Sequence, residues 1–80
     1  MWFVYVIKST TNEFMYIGST NDLDRRLHEH NSGFSIATKA YRPYSLITYV
    51  AVQTEAQARR LEKYFKTGSG KSVLLNRIIG

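Results

Sequence analysis

The fold turns on two stretches, "FVYVIK" at residues 3–8 and "FMYIGSTNDLDRRLHEHN" at residues 14–31. The first is β-branched and aromatic, and with Trp2 it predicts a strand over residues 2–8 that is apolar on both faces. "STTNE", residues 9–13, is turn material. "FMYIG", residues 14–18, predicts a second strand closed by glycine, so the pair reads as an antiparallel hairpin. Side chains alternate along a strand, and residues opposite one another share a face. Tyr5 and Tyr16 therefore face the same side only if opposed residue numbers add to an odd sum. A simple turn centred on Thr11 gives an even sum and separates them. A turn of even length, or a bulge, brings them together.

The second stretch continues into a helix predicted over residues 21–31. Thr20 or Asn21 can cap it, and Asp22 and Asp24 fall in the first turn, where the helix dipole favours them. Leu23 and Leu27 form its inward stripe, and Gly33 is its stop. Arg26 and His30, also i and i+4, share a face flanking that stripe, whereas Arg25, His28 and Glu29 point elsewhere. A solvated edge, with Arg26 snorkelling and paired to Asp22, accounts for this spacing. So does a cation and an imidazole aimed at one pocket.

Further along, residues 34–43 fit either a short helix or an ordered loop ended by Pro43. "YSLITYVAV", residues 44–52, predicts a third strand. Thr54 and Gln57 form a capping box for a helix over residues 55–66, with Gly68 as its stop. "SGKSVLLNRII", residues 69–79, predicts a short final helix. Three strands with helices to cover them give an α+β fold, a three-stranded, mainly antiparallel sheet flanked by helices. The 80 residues form one domain, residues 1–80.

Glu62 breaks the apolar stripe of Ala58, Leu61 and Phe65 on the 55–66 helix. A carboxylate in that sector is costly unless it is paired, for instance with Lys66 at i+4, or bound to a metal. Two tempting motifs fail. "GSGKS", residues 68–72, resembles the end of a phosphate-binding loop, but that loop needs a glycine where Phe65 stands and a strand where a helix stands. The glycines read instead as a helix stop and turn. "HEH", residues 28–30, places its histidines on different helix faces and lacks the zinc-protease spacing.

Composition narrows the class of partner. Hydrophobic residues make up 44% of the chain and aromatics 14%, so the aromatics carry much of the core. There is no cysteine, which excludes a disulfide scaffold and any thiolate metal site. The absence of a spanning segment or leader pattern predicts a cytoplasmic protein with no membrane partner. The net charge is +5. Residues 1–40 sum to zero, so residues 41–80 carry the whole excess, an asymmetry that suits a polyanion and nucleic acid first.

Taken together, "FVY" (3–5), "YIG" (16–18), "GSTNDLDRRLHEHN" (18–31) and "EAQARRLEKYFK" (55–66) resemble the GIY-YIG nuclease superfamily, and in particular small members similar to the nuclease domain of structure-specific endonucleases. The likeness runs along nearly the whole chain. Phe3 stands where the family name has glycine. The resemblance implies cleavage of DNA phosphodiester bonds with Mg²⁺ or Mn²⁺. It matches Tyr5 and Tyr16 to the two motif tyrosines, Gly18 to the glycine that leaves space beside the site, and Arg26 to the catalytic arginine. His30 matches an active-site histidine, Glu62 the metal-binding glutamate and Asn76 a late polar residue.

On this reading a tyrosinate, Tyr5 by preference, takes a proton from water, and Arg26 or the metal lowers its pKa. Tyr16 positions water or phosphate, and His30 relays the proton or orients Tyr16. Lys39, Arg42, Lys63 and Lys71 line a phosphate track. The expected partner is single-stranded, flap or branched DNA, cut with little sequence preference, and a targeting protein is a further expected partner. A catalytically inactive nucleic-acid-binding adaptor of the same fold is the alternative.

Overall fold

The structure, a computed structural model, describes residues 1–80. Strands β1 (Trp2–Ser9), β2 (Met15–Thr20) and β3 (Tyr44–Val52) form one antiparallel sheet in the order β2-β1-β3. Helix α1 (Leu23–Ser32) follows β2, and α2 (Glu55–Phe65) and α3 (Gly68–Val73) follow β3. A 3₁₀ turn at Lys39–Tyr41 interrupts the α1–β3 connection, so residues 34–43 are an ordered loop with one short helical turn. A π-helical segment, Leu74–Ile79, ends the chain.

The hairpin register settles the parity question. Tyr5 lies opposite Gly18 and Ile7 opposite Tyr16, so opposed numbers add to an odd sum. The Ser9 N–H donates to the Phe14 carbonyl at 2.9 Å, leaving an even-length turn between them. Ser9 Oγ accepts from the N–H groups of Thr11 and Asn12, which holds that turn. Both tyrosines therefore face one side of the sheet.

That front side carries Tyr5, Ile7 and Tyr44, packed by Phe14, Tyr16 and the inward stripe of α1, Leu23 and Leu27. The back side carries Val4 and Val6 against Ala58, Phe65 and Leu74, with Ile17 and Leu61 around them. Two small cores thus share one sheet, and β2 is its edge on one side. The other edge is β3, which has no charged residue and exposes Leu46, Ile47 and Tyr49.

Two helix ends differ from expectation. The cap of α1 is Asp22, whose extended backbone lets its carboxylate accept from the Arg25 N–H at 3.1 Å. Thr20 instead bonds the Asp22 backbone, and Asn21 accepts from the Arg25 side chain. Gly33, at φ 82, is the stop the sequence predicts. The capping box of Thr54 and Gln57 also forms. Gly68, however, does not stop α2; it begins α3. Thr67 is extended and caps α3 by accepting from the Gly70 N–H at 3.0 Å. Gly70 is buried, and a Cβ there would collide with the Tyr64 carbonyl. Of the two glycines in "GSGKS", Gly70 therefore serves close contact between α2 and α3, whereas Gly68 opens α3 in free space.

Candidate active site

The site is built where β2 is thinnest. Gly18 faces the front and has no side chain. A Cβ placed there would lie 2.5 Å from the Tyr5 hydroxyl oxygen and 2.9 Å from a ring carbon of Tyr16. The Tyr5 phenol therefore reaches across the edge strand into space that only glycine leaves open. From α1, Arg26 Nε donates to the Tyr5 oxygen at 3.3 Å, and His30 Nε2 meets the same oxygen at 2.8 Å. The Tyr16 and His30 rings are 5.1 Å apart, and the Tyr5 and Tyr16 rings 6.3 Å.

Ser19, the next residue, points to the back of the same strand. Its hydroxyl donates to Glu62 Oε1 at 2.7 Å, while Lys66 Nζ pairs with Glu62 Oε2 at 2.8 Å. Lys66 also stands 5.8 Å over the Tyr16 ring. The carboxylate on α2 is thereby tied around the strand edge to the aromatic cluster in front. Tyr5 touches Arg26 and His30 and neighbours Tyr16, which packs on His30, and Glu62 joins this group through Lys66 and Ser19. Phenol, guanidinium and carboxylate flank one short length of β2.

Several details differ from the sequence reading. Arg26 pairs with Glu29, at 3.0 Å, and not with Asp22, because the side chain of Glu29 turns toward it and Asp22 is engaged as the cap. His30 is no helix edge: it is fully buried, because its ring fills the space between Tyr5, Tyr16 and Tyr44. His28 is exposed and bonds only Ser32. Asn76 bonds only Ser72, on an exposed surface of the terminal segment. Lys71 lines a cavity of about 260 Å³ with Tyr16, Phe65 and Lys66, whereas Lys39, Arg42 and Lys63 are exposed elsewhere on the surface.

Burial pushes the Tyr5 phenol up to about 12, outweighing the pull of Arg26 in the other direction. The expected lowering by Arg26 is present but loses to desolvation. Burial, then the Arg26 charge, pushes His30 down to about 4, so the ring is neutral at physiological pH. For Glu62, burial is the largest single effect and pushes its carboxyl up. Lys66, Ser19 and Arg59 together more than offset it and hold the group below the usual range.

Ser19, Lys66 and Thr38, which bonds His30 Nδ1 at 2.7 Å, were not among the candidates read from sequence. Strand alternation after Gly18 could have found Ser19, and the i+4 pairing of Glu62 pointed at Lys66. Thr38 sits in an irregular segment and gave no signal. The donor set also bears on a metal. No three His, Cys, Asp or Glu side chains converge. A single ionised carboxylate at the edge of the site suits a hydrated hard cation such as Mg²⁺ or Mn²⁺, which needs only one or two carboxylates when phosphate and water supply the rest.

The fold is thus a three-stranded antiparallel sheet with paired tyrosines, an arginine and a histidine on the following helix, and a lone glutamate from behind. The family model described as the GIY-YIG catalytic domain matches residues 1–76, and the chain belongs to this family, which implies nuclease activity on nucleic acid. Among similar proteins, the UPF0213 protein YazA of Bacillus subtilis is 42% identical over 65 residues, 80% of this chain and 65% of that protein. The UPF0213 protein lwe0147 of Listeria welshimeri is 38% identical over 71 residues, 88% of this chain and 78% of that protein. The solution NMR structure of the UPF0213 protein BH0048 from Bacillus halodurans superposes with a TM-score of 0.59 at 28% identity, covering all of this chain and 88% of that one. No helix is long and apolar enough to cross a membrane.

Proposed function

We propose that this protein is a divalent-metal-dependent endonuclease that hydrolyses DNA phosphodiester bonds, selecting single-stranded, flap or branched DNA with little sequence preference. The carrying observation is the Tyr5 oxygen at the meeting point of Arg26 and His30, seated in space that only a glycine leaves for it, with an ionised glutamate at the same strand edge.

Glu62 would hold the Mg²⁺ or Mn²⁺. When bound, the cation neutralises the scissile phosphate and stabilises the leaving oxygen. Arg26 offers planar donors to the non-bridging oxygens and holds them more tightly as charge develops. Tyr5 first gives up its own proton to solvent; water then attacks phosphorus and passes a proton to the phenolate, while the P–O ester bond breaks and the leaving oxygen takes a proton from solvent. In the free protein Tyr5 is a neutral phenol, so its work as base belongs to the substrate complex, where the Arg26 N–H stabilises the phenolate. Tyr16, half-buried beside Lys66, orients water or phosphate. Lys71 and Lys66, at the cavity beside Tyr16, begin the phosphate track.

The test is cleavage of a panel of single-stranded, duplex, flap and junction DNA with Mg²⁺ or Mn²⁺ and with a chelator. Glu62→Ala is expected to lose about 100-fold or more, and Arg26→Ala about tenfold or more. Full activity in Glu62→Ala, or cleavage that survives the chelator, overturns the metal assignment. Absence of cleavage on every substrate overturns the reading.

A further inference from the structure

A row of three polar side chains runs inward from the site. The Tyr5 oxygen meets His30 Nε2 at 2.8 Å, and His30 Nδ1 meets Thr38 Oγ1 at 2.7 Å. These groups carry three protons, on the phenol, the imidazole and the hydroxyl, but form only two hydrogen bonds with one another. One proton is therefore left without an acceptor in the row, and the row can be polarised in either of two directions.

If the imidazole proton sits on Nδ1, Tyr5 donates to His30, His30 donates to Thr38, and the stranded proton is that of Thr38. Thr38 is 0% exposed, and its hydroxyl has no other partner. If the imidazole proton sits on Nε2, Thr38 donates to Nδ1, His30 donates to Tyr5, and the stranded proton is that of the phenol. Tyr5 is buried too, at 3% exposure, but its oxygen fills the space that Gly18 leaves at the edge strand, beside Arg26 and the proposed substrate site. A buried hydroxyl proton without an acceptor is costly, whereas one at the mouth of the site can reach water or substrate.

The structure assigns His30 the Nε2–H tautomer and makes the Thr38 hydroxyl the group that sets it. His30 is then a fixed donor and not a proton relay. The Tyr5 oxygen accepts from two N–H groups, those of His30 and Arg26, and both bonds strengthen as the phenol becomes a phenolate. Its own proton points outward and is the one that leaves. Tyr44 donates from its hydroxyl to the Thr38 carbonyl at 2.8 Å, which fixes the threonine from its other side. Thr38 is thus a positioning residue for the proposed base. Its effect on cleavage rests on the nuclease reading; the tautomer does not.

The experiment is ¹⁵N NMR of ring-labelled histidine at neutral pH, without metal or DNA, beside cleavage assays of two variants. In the wild type, His30 Nε2 is expected to be protonated and Nδ1 bare. Thr38→Val keeps the shape without the hydroxyl; it is expected to populate both tautomers and to cut about tenfold or more slowly. Thr38→Ser is expected to restore ring state and cleavage together. A wild-type ring protonated on Nδ1 overturns the inference, as does a Thr38→Val protein with wild-type ring signals and wild-type cleavage. If the valine variant does not fold, the wild-type spectrum alone decides. If the protein cuts no DNA, the spectrum still decides the tautomer, and the nuclease reading fails separately.

Discussion

His30 shows what one residue contributes to and costs the fold. Its ring is fully buried and pushed down to about 4, against an ordinary value of 6.5 in the unfolded chain. Between these values the unfolded state binds a proton that the folded state refuses. Stability therefore rises with pH through this window and is lost as pH falls from about 6.5 to about 4. The depression corresponds to about 3 kcal/mol when the ring is fully desolvated. Urea unfolding at a series of pH values is expected to show this slope in the wild type and a flatter one in His30→Gln. An equal slope in both proteins would move the origin of the acid sensitivity elsewhere. Glu62, held below its usual 4.5, contributes stability that is present above that pH and lost as pH falls below it.

At the scale of an element, β2 is the decisive strand. It presents Gly18 forward beneath two aromatic rings and Ser19 backward to the glutamate. Gly18→Ala would place a methyl group 2.5 Å from the Tyr5 oxygen and 2.7 Å from its ring carbon Cζ, where no flexible chain end can give way. The expected cost is about 1–3 kcal/mol, the range of overpacked cores, measured by urea unfolding. Cleavage per folded molecule is expected to fall as well, because the displaced group is the phenol itself. An alanine variant of wild-type stability and activity would show that the rings are free to move.

Much of this strand was legible beforehand, since alternation reduced the shared tyrosine face to one question, the turn length. The three strands and both longer helices followed from pattern, and the capping box of α2 from its spacing, whereas the cap of α1 falls on Asp22 and not on Thr20 or Asn21. What escaped the sequence was the choice among near neighbours. Glu29 turns toward Arg26 at i+3 although Asp22 stands at i−4, Thr67 takes the capping role that makes Gly68 a helix start, and Thr38 reaches His30 from a loop without periodicity. Spacing permits the first two contacts without selecting them, and the third depends on how the loop folds back onto α1.

For the whole molecule, the uneven charge is the property to test. The excess of five positive charges lies in residues 41–80, which supply α2 and α3 and hence the back of the site. If Lys63 and Lys71 touch phosphates, binding of a single-stranded oligonucleotide in chelator should weaken steeply with salt. Replacing either lysine by alanine is expected to reduce the log–log slope by about one. Fluorescence anisotropy over a sodium chloride series measures this, and an unchanged slope in both variants removes them from the track.

The division of the chemistry between the two faces has a consequence for damaged protein. Arg26 hangs from the helix in front, Glu62 from the layer behind, and only one strand separates them. Fraying of residues 68–79 would loosen α2 and carry off the carboxylate while the phenol and imidazole stay joined. On the proposed mechanism such a molecule could still clasp a nucleic acid but could not sever it, which would confine hydrolysis to chains folded on both sides.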